Sequence, residues 1–306
     1  MRVSIATSEE TRLVDEVTRR VETYGSHQLL NESDAKKAES RGTEAVLNAV
    51  ILTSADAAAR RREPSESTHR ALTRLWETQR PDGAWEWLNF ELEPYETVDA
   101  VYHGATLAAL AIGMAPGLAT APGAATPLGV GRLRAYLRDH FDVQSLYNRT
   151  FALLASSGFT DLLTRAQRDT LVSELARAQQ DDGGWSLKKM GPWRWNRSEP
   201  PFKAPGTVDA SLLGQSDGFA TGLIVYALLR AGLHADHPAV AAGVRWLRTH
   251  QQEIRVDEQT WAAWRAYSLN VDREHGGPSG EPWRRLFMSD AASAFAVLAL
   301  VEFESK

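Results

Sequence analysis

Cysteine is missing from all 306 residues. Its absence removes disulfides, thiolate nucleophiles and cysteine-bearing zinc sites together. Basic charge is also short: 34 Lys and Arg stand against 39 Asp and Glu, a formal net charge of -5. No basic excess exists to release phosphate counterions, so nucleic acid is not an expected partner. No run of about 18 apolar residues occurs, so no transmembrane segment is expected. The first ten residues lack the apolar core and small-residue cleavage site of a secretory signal, and a cytoplasmic chain is the expectation. A homodimer is compatible with this composition. There is no Gly-rich phosphate loop, no Gly-x-Ser-x-Gly elbow and no His-Glu-x-x-His pair; Gly276-Gly277-Pro278-Ser279-Gly280 is a turn cluster without a strand-to-helix context.

What the chain does contain is a repeat. Gln79-Arg80-Pro81-Asp82-Gly83-Ala84-Trp85 returns as Gln179-Gln180-Asp181-Asp182-Gly183-Gly184-Trp185, with the tryptophans 100 residues apart. Each copy closes a helical run and is followed, after a loop, by a very apolar one. The repeating unit is therefore a helical hairpin, and a fixed repeat decides the architecture before anything else does. Amphipathic runs at residues 8–24, 68–79, 133–141, 165–180 and 238–252 alternate with apolar runs at 45–58, 97–113, 145–157, 217–231 and 289–303. A helix apolar on every face is surrounded by protein. The expected fold is all-α: an α/α toroid, or barrel, of five to six hairpins in one domain spanning 1–306, with no sheet. The Ala, Pro and Gly-rich stretch 115–129 reads as an internal loop rather than a boundary, because hairpins continue past it. The long loop 186–215 reads as functional or disordered. Glu91 and Glu93, in an approach loop, read as solvated.

The Gln-x-x-x-Gly-x-Trp ending of an outer helix resembles the QW repeat of the squalene-hopene and oxidosqualene cyclases, whose α/α toroid is shared with protein prenyltransferase β subunits. Asp217-Gly218-Phe219-Ala220-Thr221-Gly222-Leu223 and Phe287-Met288-Ser289-Asp290-Ala291-Ala292 are similar to segments of squalene-cyclase-like repeat proteins. A third, degenerate repeat runs from Gln251-Gln252 to Trp261. The length suits one toroid where triterpene cyclases have two. Their Asp-x-Asp-Asp acid is absent; Glu96-Thr97-Val98-Asp99 is the nearest analogue. The prenyltransferase zinc set needs a cysteine, which excludes that branch.

In such a toroid the inner helices run parallel, so their first turns share one rim. That reading brings Glu44, Asp99, Asn148, Asp217 and Asp290 to a single mouth. Helix capping accounts for any one of them, but several carboxylates at one apolar mouth would raise at least one pKa. Glu96, Asp99 and His103 fall on one helical face, and a carboxylic acid beside a histidine resembles the proton-donating pair of squalene-type cyclases. The resemblance thus implies a terpenoid cyclase-like enzyme, of isomerase or lyase type. It would act on an isoprenoid or other apolar small molecule with no cofactor, using Asp99 as general acid, His103 as its partner, and Glu96, Asp217, Asp290 and Glu44 as the acidic surround. Trp87, Phe90, Tyr95, Tyr102, Trp193, Trp195, Trp264 and Trp283 would face the substrate, since aromatic rings stabilise cations. Trp85 and Trp185 read as structural plugs.

Three alternatives stand beside that reading. Glu44, Asp99, His103, Asp217 and Asp290 form an oxygen-rich set with one imidazole, suited to a divalent metal ion. The toroid could equally serve as a non-catalytic module that binds a lipid or a protein. Paired acids and tryptophan platforms also fit an α/α-barrel carbohydrate enzyme.

Overall fold

A computed structural model of the chain describes residues 7–115, 127–193, 214–256, 259–270 and 288–306. Within them run α1 (Thr7–Glu22), α2 (Lys37–Ala58), α3 (Glu66–Glu77), α4 (Ala100–Met114) and α5 (Pro127–Asp139). These are followed by α6 (Leu146–Ala155), α7 (Arg165–Ala178), α8 (Gly218–Arg230), α9 (Pro238–Thr249) and α10 (Ser289–Glu304). The fold class is the expected one: all-α, in the α/α hairpins of which toroids are made. Every amphipathic and apolar run has its helix, in the expected order. One feature differs. The run expected as a helix to 252 stops at Thr249, and a two-stranded antiparallel hairpin, β1 (Gln252–Val256) and β2 (Gln259–Ala263), follows with Ile254 opposite Trp261.

The helix starts follow from local chemistry. The Ser65 hydroxyl accepts from the Thr68 N–H at the head of α3, a cap worth about 1 kcal/mol. Thr164 and Gln167 form a reciprocal capping box on α7, which satisfies two of the orphan donors of its first turn. The carboxylate of Asp217 caps α8 by accepting from Ala220 N–H.

By their contacts the residues divide into two compact units: Met1–Phe90, Tyr95–Gln144 and Ala155–Leu163 make unit one, and Glu91–Pro94, Ser145–Leu154 and Thr164–Lys306 make unit two. In unit one, α2 packs against α3 and α4, and α1 lies on α2 and α3. Val17, Val21, Leu52 and Ala71 form the seam under α1. Tyr102 is buried and its hydroxyl donates to the Leu137 carbonyl at 2.8 Å, which ties α4 to α5. In unit two, α8 is buried along nearly its whole length and packs against α10 and α9. Gly222 permits that approach: a Cβ there would lie 2.6 Å from the Ala296 backbone nitrogen.

Both copies of the Gln-x-x-Asp-Gly-x-Trp segment make the same turn. Gln79 Nε2 donates to the carbonyls of Gly83 and Gly129, and Gln179 Nε2 to those of Gly183 and Ala239. Gly83 and Gly183 have φ of +101° and +89°, a conformation that side-chain-bearing residues avoid. Trp85 Nε1–H donates to the Leu75 carbonyl and Trp185 Nε1–H to that of Leu175, each at 2.7 Å, with both indoles fully buried. The plug role expected for these two tryptophans is the one they have. Glu93, expected in solvent, is only 5% exposed, and its backbone N–H donates to the Asn270 side chain.

Candidate functional site

The acids expected at one mouth have unlike surroundings. Glu44 is not in a first turn, because α2 begins at Lys37. It is buried, and one of its carboxylate oxygens meets Arg20 Nε at 2.9 Å and His27 Nε2 at 2.8 Å, an ion-pair cluster joining α1 to α2. Asp99 is the half-buried N-cap residue of α4 and makes no capping bond with its side chain. Asn148 is buried, and its backbone N–H donates to Ser145 Oγ at the head of α6. Asp217 is buried and receives N–H donors from Ala220 and Leu187. Burial pushes its carboxyl up to about 7 against those bonds. Asp290 is exposed, with one carboxylate oxygen on the N–H of Ala291.

His103 is buried with Trp87 edge-on and Tyr95 tilted, both ring centroids 6.1 Å away. Burial lowers its pKa to about 3, so the ring is neutral at pH 7. Glu96, one turn upstream of α4, is half-buried and its carboxyl is raised by the same cause. No group of three or more His, Asp or Glu among the described residues is placed to hold a metal ion. The oxygen-rich metal set therefore has no support in the geometry: Glu44 Oε1 faces Arg20 and His27, Asp217 is held by backbone donors, and Asp290 faces solvent.

The expected substrate aromatics are mostly structural. Trp87 donates to the Tyr95 carbonyl at 2.7 Å and lies on Gly104, where a Cβ would meet its ring at 2.3 Å. Phe90 sits under the Lys36 ammonium, 5.3 Å from the ring centroid. Trp193 is buried against Tyr147 and donates to the Lys188 carbonyl. Trp264 is buried and donates to the Leu247 carbonyl at 2.7 Å. Trp195 and Trp283 lie outside the described residues.

A pocket of about 480 Å³ opens instead in unit two, beside the second Gln-x-x-Asp-Gly turn. It forms where that turn meets the last turn of α9 and the segment that follows β2, with Asp182, Ser216, Trp246, His250, Arg265 and Tyr267 among its walls. Trp246 and His250, one turn apart on α9, stack face to face with centroids 4.2 Å apart and planes 6° from parallel. The inner ring, Trp246, is buried; the outer ring, His250, is exposed. His250 Nδ1 lies 2.9 Å from the Trp246 carbonyl. That contact makes Nδ1 the protonated nitrogen of the neutral ring and leaves Nε2 as acceptor.

Asp182 organises the floor. Its Oδ1 accepts from Gly184 N–H at 3.0 Å and Ser216 O–H at 2.8 Å, and its Oδ2 accepts from the Trp246 indole N–H at 3.0 Å. Partial burial raises its pKa, but those three donors and the nearby His250 outweigh it, and the net shift is downward. Gln180 donates to Ser216 Oγ at 2.8 Å and accepts from Lys189 Nζ at 2.9 Å. Gly184 leaves room for this packing, since a Cβ there would lie 2.6 Å from Ser216 Cβ and 2.9 Å from the indole nitrogen. The result is a polar pocket with one stacked aromatic wall, not the apolar cavity expected for an isoprenoid. None of Trp246, His250, Arg265, Tyr267 and Asp182 was expected from the sequence to form a site. The available signal was the spacing Trp246–His250, which repeats Tyr136–His140 at an offset of 110 residues.

No protein-family model matches the chain, and no curated protein matches it. Among solved structures that match is one described as a possible member of GH105 family from Salmonella enterica subsp. enterica serovar Paratyphi A. It is 13% identical, with 99% of this chain and 95% of that one covered, at a TM-score of 0.43. The squalene-cyclase resemblance is thereby corrected: no protein-family model, of cyclases or otherwise, matches the chain. Gln79, Gln179, Trp85 and Trp185 donate their side-chain N–H groups to backbone carbonyls, so these four residues lock a hairpin turn. No helix among the described residues is long and apolar enough to cross a membrane.

Proposed function

We propose that the chain binds a polar, hydroxyl-rich ligand of saccharide class in the pocket of unit two. The observation that carries this reading is the Trp246–His250 stack beside the Asp182–Ser216 floor. Ligand sites combine apolar or aromatic walls with a few convergent polar groups. Here the exposed His250 face supplies the wall, and its Nε2, Arg265, Tyr267 and Gln252 add donors and acceptors to the lining. An isoprenoid would leave those polar groups desolvated and unpaired, at a cost of about 1–3 kcal/mol each.

The reading stops at binding. Glycosidic cleavage uses a pair of carboxylates, one of them holding a proton. Among the described residues lining the pocket Asp182 is the one carboxylate, it is engaged by three donors, and its pKa is lowered. The test is calorimetric titration of the full chain with a panel of di- and trisaccharides of gluco, galacto, manno and uronic configuration. At least one member is expected to bind, and His250→Ala to weaken it by roughly tenfold, about 1.4 kcal/mol. If no panel member binds, or His250→Ala leaves affinity untouched, the reading is wrong.

A further inference from the structure

The wall and floor of the pocket have counterparts in unit one. Tyr136 and His140, one turn apart on α5, stack with centroids 4.5 Å apart and planes 29° from parallel. His140 Nδ1 lies 2.9 Å from the Tyr136 carbonyl, as His250 Nδ1 lies 2.9 Å from that of Trp246. The turn beneath the stack matches in its own hydrogen bonds, without the Ser216 and indole donors that Asp182 has. Asp82 Oδ1 accepts from Ala84 N–H as Asp182 Oδ1 accepts from Gly184 N–H, and Arg80 N–H closes on the Ala84 carbonyl as Gln180 N–H closes on that of Gly184.

Helix and turn dock alike in the two units. Gln79 reaches the Gly129 carbonyl and Gln179 that of Ala239. A Cβ on Gly83 would strike the Arg132 carbonyl at 2.3 Å, and one on Gly183 would lie 3.0 Å from that of Ala242. Gly129 to Ala239, Arg132 to Ala242, Tyr136 to Trp246 and His140 to His250 are each 110 residues apart, while Asp82 to Asp182 is 100. The same two elements therefore meet in the same register twice. Where the Trp246 indole donates to Asp182, the Tyr136 phenol stands instead. Burial first, and then the charges of Asp82 and Asp99, push that phenol up to about 12, with Arg80 opposing. Tyr136 is half-buried and His140 exposed, the same inner and outer order as in unit two.

We propose that unit one carries a second ligand site on this plan, formed by Asp82, Tyr136 and His140, and that it takes a hydroxyl-rich ligand of the same class as the pocket of unit two. The proposal rests on that pocket being a saccharide site. A further difference between the two copies bears on preference. Arg80 replaces Gln180 and meets Asp82 at 2.7 Å, so the floor of this copy is neutralised internally and recognition falls to hydroxyl contacts on the His140 ring and the Tyr136 phenol.

The two sites are separable by watching both imidazoles at once. The full chain, labelled with nitrogen-15, is titrated with the same saccharide panel while the ring resonances of His140 and His250 are followed, assigned by their loss in His140→Gln and His250→Gln. The expected result is that a panel member moving His250 also moves and saturates His140, and that the His140 response survives in His250→Gln. If His250 moves and His140 stays still, the second site is rejected and the first reading stands. If the His140 response disappears in His250→Gln, there is one site and the proposal fails. If neither ring moves with any member, both readings fall together.

Discussion

The indole N–H of Trp264 donates to the Leu247 carbonyl at 2.7 Å, the bond that Trp85 makes to Leu75 and Trp185 to Leu175 at the same length. Trp264 is thus the third plug of the repeat, displaced in sequence by the β1–β2 hairpin that separates it from α9. Its backbone N–H reaches Ser293 on α10, as that of Trp185 reaches Thr221 on α8. Trp261, the residue at which the sequence placed the third motif, stands on β2 and is 47% exposed.

A stability difference follows from that exchange of roles. Trp264→Ala deletes a buried indole and its bond, and is expected to cost on the order of 3–5 kcal/mol. Trp261→Ala removes an exposed ring and is expected to stay within about 0.5 kcal/mol of wild type. Urea unfolding of the two variants checks the assignment; equal losses would return the plug to Trp261.

The order of inner and outer helices and the two plugs were legible because they depend on pattern alone. α4 and α8 are apolar on all sides, and nothing but a surrounded helix suits that. The acids were not legible at the same level. Asp217 and Asp290 both stand at the start of an inner helix, yet one is buried under three backbone donors and the other faces water. What separates them is which backbone passes overhead, and that is tertiary. The pocket escaped for another reason. Its floor repeats at an offset of 100 residues and its stacked wall at 110, and Trp replaces Tyr in the wall, so the two halves of one site do not align in a single repeat. Local spacing shows each half; only the docking of turn on helix joins them.

Two glycines of α5 and α8 should respond to alanine with opposite sign. At Gly222 a Cβ would enter within 2.6 Å of the Ala296 nitrogen and 2.7 Å of the Phe295 carbonyl carbon, both backbone atoms of α10 that cannot turn aside. Gly222→Ala is expected to destabilise by about 1–3 kcal/mol. Around Gly131 nothing lies within 4 Å, so Gly131→Ala gains about 0.5–1 kcal/mol of helix preference. Thermal melts of the pair measure both signs.

Buried titratable groups give two opposed pH dependences. Asp217 has its folded pKa raised to about 7 from 3.8, so the folded state holds its proton more tightly. Its contribution to stability is full below the unfolded value and is lost as pH rises through about 7. His103 has its folded pKa lowered to about 3 from 6.5, so the folded state disfavours its proton. Its contribution is full above pH 6.5 and is lost as pH falls toward 3. Between about pH 4 and 6.5 the two slopes oppose each other. Asp217→Asn is therefore expected to tilt the dependence of unfolding free energy on pH upward across this window, and His103→Gln to tilt it downward. Chemical unfolding at half-unit pH steps reads both slopes, and the same slope in all three proteins would contradict the assigned shifts.

Asp182 and Trp246 act on the ligand through each other, and two substitutions separate that coupling from bulk. Trp246→Phe keeps a ring against His250 but removes the N–H that Asp182 Oδ2 accepts, leaving one lone pair of the floor to water. Asp182→Asn keeps the shape but replaces one acceptor oxygen by a donor, which then faces either the indole N–H or the Ser216 hydroxyl and Gly184 N–H. Because the turn must still accept from Gly184, the amide nitrogen points at Trp246 and pushes the stack off its seat. Each single variant is expected to weaken binding of the best panel saccharide by roughly tenfold, about 1.4 kcal/mol. The double variant should lose little more than either one, since both break the same contact. Calorimetry on the four proteins decides the matter: losses that simply add would mean that the carboxylate and the indole meet the ligand independently.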